Sequence, residues 1–301
     1  MKRRFRSAVV GLILLGSAIG CDSTTPLAPT PRAPDVPSSS TPPPANPNAI
    51  ALAGTVVDRV WRPLAGARVE VLDGPDSGLS TLTDAKGGFQ LVGEFNPTTR
   101  FRATSSQHRE STLVLPPRCA TCNPNWWLHF SLETEAASVD LAGAYSLTFV
   151  ADPACTTLPE EFRQRTYPAT IRPTGPDIAA QFKVSVDGGS FLSGYDSFDV
   201  GVAGDAFAAW LGDFHGSPGV AERVAATTVL SFEGSAQASG VADAATVVAT
   251  LDGTIGYCEL RGEPASRYST CLPGQSAANV LCTSTKHQLI LERAASASRS
   301  R

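Results

Sequence analysis

Hydrophobic side chains recur at every second position in short runs along residues 52–132, and Gly, Pro and Asp separate the runs. The last run, residues 126–132, alternates without a break, and Trp127 and His129 share one of its faces. The other face holds four apolar residues: Trp126, Leu128, Phe130 and Leu132. Successive side chains of a strand point to opposite faces, so this period predicts short antiparallel strands with one buried face. We expect the apolar face to be the buried one, which leaves Trp127 and His129 outside.

Longer alternating runs follow over residues 138–295. They predict these strands: Ala144–Val150, Thr166–Pro173, Asp177–Asp187, Phe198–Val202, Ala206–Gly212, Arg223–Phe232, Ala245–Cys258 and Thr285–Arg293. Few helical periods and many glycines accompany these runs, which favours an antiparallel meander closed into a barrel, or a second sandwich. The predicted fold class is therefore all-β, with folded units at 50–134 and 138–295 and a disordered tail at 296–301.

The first twenty residues differ from the rest, with a basic start and then an apolar run of about 14 residues, too short to span a membrane. Residues 18–21 read Ala-Ile-Gly-Cys, and they resemble the lipobox of bacterial lipoproteins. This resemblance implies that residues 1–20 are a signal peptide and that Cys21 is acylated and becomes the first residue. The implied location is the bacterial cell envelope, anchored by lipid at the periplasmic face or the cell surface. The alternative is an ordinary secretory signal with a chance cysteine.

Residues 21–49 have the composition of a linker, because nine prolines fall between residues 22 and 48 among Ser, Thr and Ala. Such a stretch buries too little apolar surface to fold and favours extended polyproline II conformations. We expect a disordered stalk of up to ~80 Å, at ~3.1 Å per residue. Lipid and stalk together would hold the folded part near a membrane surface.

Three short motifs in the first unit resemble the carboxypeptidase regulatory-like domain. They are G-x-V-x-D at 54–58, P-L-x-G-A-x-V-x-V at 63–71 and T-D-x-x-G-x-F at 83–89. In the third motif, Asp84 suits an Asx-turn, and Gly87 or Gly88 suits the positive φ of the return. The resemblance implies a seven-stranded, transthyretin-like β-sandwich without a catalytic group. It covers residues 52–93 well and specifies the fold more than the function.

The second unit is loosely similar to lipocalin-like barrels at two positions. Tyr145, in the context Gly143-x-Tyr145, stands where those barrels carry a first-strand aromatic residue, and Arg293 stands where they carry a last-strand arginine. This similarity favours the closed barrel over the second sandwich.

The cysteines predict a disulfide framework. Seven are present, and setting Cys21 aside leaves an even number in an exported chain. We predict the pairs Cys119–Cys122, Cys155–Cys282 and Cys258–Cys271. In a closed meander the last strand lies antiparallel to the first, which brings the second pair to one barrel end and leaves the third in the last connection. For the C-x-x-C at residues 119–122, zinc binding or redox chemistry stays an alternative.

Composition and motifs limit the function classes. Four of the 24 basic residues lie in the predicted signal peptide, which leaves 20 against 28 acidic residues and argues against nucleic acid as a partner. No H-E-x-x-H, G-x-S-x-G or P-loop motif occurs, so we predict no enzyme activity, no metal and no cofactor. The leading hypothesis is a non-catalytic binding or scaffold role.

Two further binding roles remain open. One is a carbohydrate-binding module in which Trp127 and His129 contact a glycan; the alternative for this pair is that it packs against the second unit or stays exposed without a ligand. The other is a small-ligand carrier with an apolar barrel interior. The predicted partners are therefore the membrane, through the lipid on Cys21, and a glycan, a protein or a small apolar ligand.

Overall fold

Two sheets and one closed barrel make up the described part of the chain. The structure is a computed structural model that describes residues 49–114, 126–175, 181–212, 219–241, 243–261 and 276–295. The predicted signal peptide, the stalk and the C-terminal tail lie outside these residues. Among the residues that the structure describes, no helix has the length and apolar character needed to cross a membrane.

The described residues of the N-terminal unit form seven strands in two sheets. They are β1 Ile50–Asp58, β2 Arg68–Val71, β3 Ser80–Leu82, β4 Gly88–Gly93, β5 Arg100–Thr104, β6 Ser111–Val114 and β7 Trp126–Leu132. One sheet has the order β4-β1-β7 and the other β3-β2-β5-β6. The expectation of purely antiparallel pairing is wrong at one place, because β1 and β7 run parallel. They are separated by five other strands rather than joined by a hairpin, so their relative direction is not constrained by a tight turn.

The core of this unit lies between its two sheets. Alternate positions of β1, β2, β4, β5 and β7 supply it, and its largest members include Leu52, Phe89, Phe101, Phe130 and Leu132. The predicted Asx-turn before β4 is confirmed, because the Asp84 carboxylate accepts hydrogen bonds from the backbone N–H groups of Lys86 and Gly88. Gly87 has a φ of 73°, as the return of that turn requires.

Nine strands follow in the part of the second unit that the structure describes. They are β8 Gly143–Val150, β9 Gln164–Pro173, β10 Gln181–Val186, β11 Phe191–Ala203, β12 Ala206–Leu211, β13 Val220–Ala225, β14 Thr228–Ala238, β15 Thr246–Leu260 and β16 Ser276–Arg293. A short 3₁₀ helix, Glu160–Phe162, lies between β8 and β9. Eight of the strands close into an antiparallel barrel in the cyclic order β8-β9-β10-β11-β12-β14-β15-β16. The all-β class and the closed barrel are thus confirmed.

The first and last barrel strands meet at the two positions that the sequence singled out. The Arg293 guanidinium lies 5.0 Å from the centre of the Tyr145 ring. It donates hydrogen bonds to the backbone carbonyl groups of Asp140, Ala142 and Ala244. Arg293 therefore ties the entry of β8 to the exit of β16.

The prediction of a single strand over Arg223–Phe232 is wrong. It holds the end of β13 and the start of β14, which pair antiparallel across the turn at Ala226 and Thr227. Alternation continues through this turn, and neither Gly nor Pro marks it. Strand β13 also pairs with the first half of β11, so it lies outside the eight-strand ring as an extra strand.

Side chains fill the barrel interior. Phe149 and Phe232 stack across it with ring centroids 4.1 Å apart. Tyr167 and Phe198 pack beside them, and aliphatic residues of every barrel strand complete the cluster. The described interior is a packed core, as is usual for barrels of this size.

The turn after β1 packs against the barrel wall. Val60 is buried there with Ala203 of β11 and Ala208 of β12. A Cβ at Gly201 would overlap the carbonyl oxygen of Arg59, so the close approach requires glycine at this position. The two units therefore share a contact that involves both backbones.

Candidate ligand-binding surfaces

The predicted contact residues Trp127 and His129 lie on the outer face of the three-stranded sheet. In the register of that sheet, Ala53 lies between Gln90 and Trp127. Thr55 lies between Gly88 and His129 one pair further along. The alternation read from the sequence is confirmed, since Leu128, Phe130 and Leu132 are buried while Trp127 and His129 are exposed. The side chain of Trp126 lies outside the described residues.

A groove of about 480 Å³ runs along this face. We call this surface the Trp127 face and define it by six of the residues that line the groove: Ala53, Leu82, Asp84, Gly88, Gln90 and Trp127. Trp127 exposes 55% of its surface and Leu82 exposes 65%. Three small residues, Ala53, Gly54 and Gly88, also line the groove beside the indole. This geometry leaves one aromatic side chain accessible to a flat ligand.

Several polar side chains lie on the same face of the sheet as Trp127. His129 Nδ1 lies 2.8 Å from Thr55 Oγ1, which fixes the orientation of the ring. Partial burial lowers the pKa of His129 below its ordinary value, so the imidazole is neutral at pH 7 and can both donate and accept. Asp84 and Gln90 add a carboxylate and an amide to the groove. Hydrogen-bond donors and acceptors therefore share the outer face of this sheet with an exposed aromatic ring.

One predicted disulfide is present at the barrel end. Cys155, in the loop after β8, is bonded to Cys282 of β16, with Cα atoms 5.7 Å apart. The meander argument placed these two residues at the same end, and the antiparallel pairing of β16 with β8 agrees with it. Cys21, Cys119, Cys122 and Cys271 lie outside the described residues.

Cys258 also takes part in a disulfide, and the predicted partner Cys271 lies outside the described residues. One detail of the prediction is wrong, because Cys258 is a buried residue within β15 and does not belong to the connection that follows it. The alternating run continues two residues beyond Cys258, to Leu260.

The sequence did not reveal that His287 lies beside the first disulfide. One ring nitrogen of His287 and the sulfurs of Cys155 and Cys282 all lie within 4.8 Å of one another. The sulfurs are bonded to each other, so neither is a thiolate ligand for a metal. His287 is fully buried, with Nδ1 accepting a hydrogen bond from the Asp152 N–H and Nε2 lying 3.1 Å from the Cys282 carbonyl oxygen. The cluster fixes the loop after β8 against β16.

A second buried cluster joins β9 to β13. The Glu222 carboxylate accepts two hydrogen bonds of 2.7 Å from Arg165 Nη2 and one of 2.7 Å from the Tyr167 hydroxyl. Burial is the main cause that raises the pKa of Tyr167 far above its usual range, so the phenol stays protonated and donates. All three groups are engaged with one another, and the arrangement links β9 to β13. Residues more than fifty positions apart carry no local pattern that predicts such a pair.

A scan of the chain against protein-family models and a search of the curated proteins gave no match.

Proposed function

We propose that this protein is a lipid-anchored protein of the bacterial cell envelope that binds a glycan on the Trp127 face and catalyses no reaction. The observation that carries the proposal is the exposed indole of Trp127 beside the small residues of the groove. Pyranose rings present flat C–H faces bordered by hydroxyl groups. A flat aromatic ring that shares its face with hydrogen-bond donors and acceptors complements that shape.

The anchor part of the proposal rests on the lipobox-like residues 18–21 and on the proline-rich stretch behind them. Several acyl chains on one cysteine anchor a protein stably, whereas one chain gives marginal binding. A Cys21→Ser chain should remain unprocessed or soluble. Its partition into detergent to the same extent as the parent protein would remove the lipid from the account.

The proposal also assigns the two-sheet unit to the carboxypeptidase regulatory-like, transthyretin-like sandwiches. Seven strands in two sheets around one core and the Asp84 turn support this assignment. For the barrel, the Tyr145–Arg293 contact and the antiparallel closure of β16 on β8 support a lipocalin-like assignment. Neither unit needs a catalytic group for such a role.

The small-ligand carrier receives less support than the glycan-binding role. A carrier needs an internal space for its ligand, whereas stacked aromatic rings and aliphatic side chains occupy the described barrel interior. Rigid β-units that present surfaces from a tether suit recognition instead. We therefore place the ligand outside, on the sheet.

The test is a set of calorimetric titrations of the detergent-solubilised mature protein with cellohexaose, xylohexaose and chitohexaose. We expect at least one of them to bind, and Trp127→Ala to weaken that binding by about tenfold or more, because truncating a tryptophan that anchors a ligand costs more than about 1 kcal/mol. Val248→Ala removes a comparably exposed apolar side chain from the barrel wall and should leave the affinity unchanged. Equal affinities of Trp127→Ala and the parent would overturn the assignment of this face.

A further inference from the structure

A second exposed tryptophan lies on the barrel wall within a continuous row of polar side chains. Strand register makes Lys183 the neighbour of Arg172 and of Asp199, Trp210 the neighbour of Asp199 and of Ser235, and Ser235 the neighbour of Asp252. We call these residues the Trp210 row: Arg172, Lys183, Asp199, Trp210, Ser235 and Asp252. The row crosses six barrel strands, and the sequence separations give no sign of it.

The position of the row follows from packing. Each of its members alternates with inward residues such as Val184, Val200 and Leu211, which belong to the barrel core. Since those neighbours are held by the core, the outward side chains are presented from a rigid surface. Trp210 exposes 40% of its surface although it is a large aromatic residue.

The centre of the row has the geometry of an open binding surface. A groove of about 340 Å³ is lined by Lys183, Asp199, Trp210, Tyr195 and Ser197. Lys183 Nζ lies 3.7 Å from Asp199 Oδ1, and both side chains are about half exposed. At that distance the ion pair is longer than a hydrogen bond, and a hydroxyl group that lies beside the pair can accept from the ammonium and donate to the carboxylate at the same time.

The spacing matches a small stretch of sugar. Adjacent strands lie about 4.8 Å apart, so Lys183, Asp199 and Trp210 span about 10 Å, the length of roughly two pyranose units. The row carries two basic and two acidic side chains, and this balance favours a neutral ligand over a polyanion such as nucleic acid.

We propose that the Trp210 row is a second oligosaccharide-binding surface, which takes a neutral pyranose chain with one ring stacked on Trp210 and a hydroxyl group of the next ring hydrogen-bonded to both Lys183 and Asp199. The inference does not depend on the Trp127 face, because the two tryptophans lie in different sheets with different polar neighbours. A protein with both surfaces would hold one glycan chain at two places, or two chains together, with an avidity above that of either surface.

The test uses the full mature chain in detergent with Trp127→Ala introduced, so that the first surface does not contribute. Titration with cellohexaose, xylohexaose and chitohexaose should show saturable binding of at least one hexasaccharide. Adding Trp210→Ala should weaken it by about tenfold, whereas Trp210→Phe, which keeps an aromatic face, should weaken it by about threefold or less. Asp199→Asn should weaken it by about threefold to tenfold, because the amide is a poorer acceptor than the carboxylate.

Val248→Ala, on the same barrel wall, is the control and should change nothing. Unfolding midpoints close to that of the parent show that the variants are folded. Absence of saturable binding to the Trp127→Ala protein, or equal affinity after Trp210→Ala, would overturn this second surface. If Trp127→Ala alone abolishes all binding, the Trp127 face remains the binding site and the Trp210 row is not one. If Trp127→Ala binds as the parent does and Trp210→Ala abolishes binding, the Trp210 row is the binding site and the Trp127 face is not.

Discussion

Two kinds of residue matter most for this account: buried ionisable residues that hydrogen-bond to one another, and tryptophans with a large exposed fraction. Glu222 belongs to the first kind, with a carboxylate that accepts from Arg165 and Tyr167. Trp127 and Trp210 belong to the second, and each stands in a groove with polar neighbours. The first kind stabilises the barrel, and we assign binding to the second.

Glu222→Gln should destabilise the protein without altering either groove. The amide cannot accept two charge-assisted hydrogen bonds from Arg165, and it leaves a partly buried guanidinium without its counter-charge. Because Arg165 retains some exposure, we expect a loss of roughly 2–3 kcal/mol, measured by urea denaturation. Glu292→Gln, at an exposed position of β16, is the matched control and should change the free energy of unfolding by less than about 0.5 kcal/mol. Equal midpoints for the two variants would contradict the role of the cluster.

His287 should make the stability fall as the pH falls below about 6.5. Burial lowers its pKa in the folded state, so the unfolded chain binds the proton first and stability is lost from that pH downward. Protonation also removes Nδ1 as the acceptor for the Asp152 N–H. Against His287→Gln, which does not titrate, the parent should lose relative stability between pH 7.5 and pH 5, by up to about 1.4 kcal/mol per pH unit within the window. If the free energy of unfolding changes with pH in the same way for the parent and for His287→Gln, His287 does not contribute to the pH dependence.

The secondary-structure elements differ in how far the sequence alone predicts them. The faces of β7 were predictable, because alternation is local and survives in any register. The Cys155–Cys282 pair was predictable as well, since closing a meander places its first and last strands side by side. The division between β13 and β14 was not, because the turn at Ala226 and Thr227 lacks Gly and Pro. The Trp210 row depends on six strand registers at once, which no local pattern encodes.

The turn after β1 packs the N-terminal unit against the barrel. Asp58 holds it by accepting hydrogen bonds from the backbone N–H groups of Val60 and Arg62. Gly201→Ala should push this turn away from β11, because the added methyl group meets the Arg59 carbonyl oxygen. We expect a loss of about 1–3 kcal/mol in thermal or urea unfolding. Gly175→Ala, whose Cβ would meet no atom within 4 Å, is the control, and a similar loss there would contradict the turn's role.

At the scale of the whole molecule, a β-sheet unit and a filled β-barrel touch each other and present two aromatic grooves on their outer surfaces. The predicted anchor and stalk would place both grooves within reach of the envelope's glycans. The sequence predicted the exposed face of β7 that carries Trp127 and His129, because that face needed only the alternation. It could not predict the groove, because Ala53 and Gln90 come from strands whose pairing is not local.

The central claim is that exposed tryptophans contact a glycan, and fluorine NMR of 5-fluorotryptophan-labelled protein tests it most directly. The chain contains four tryptophans, and Trp→Phe variants assign their resonances one by one. Titration with the hexasaccharide that binds best should move the Trp127 resonance in a saturable way and, for the second surface, the Trp210 resonance as well. The resonance of Trp61, whose residue belongs to the turn that joins the units, should stay in place. A titration that leaves both the Trp127 and the Trp210 resonances unmoved would contradict the account.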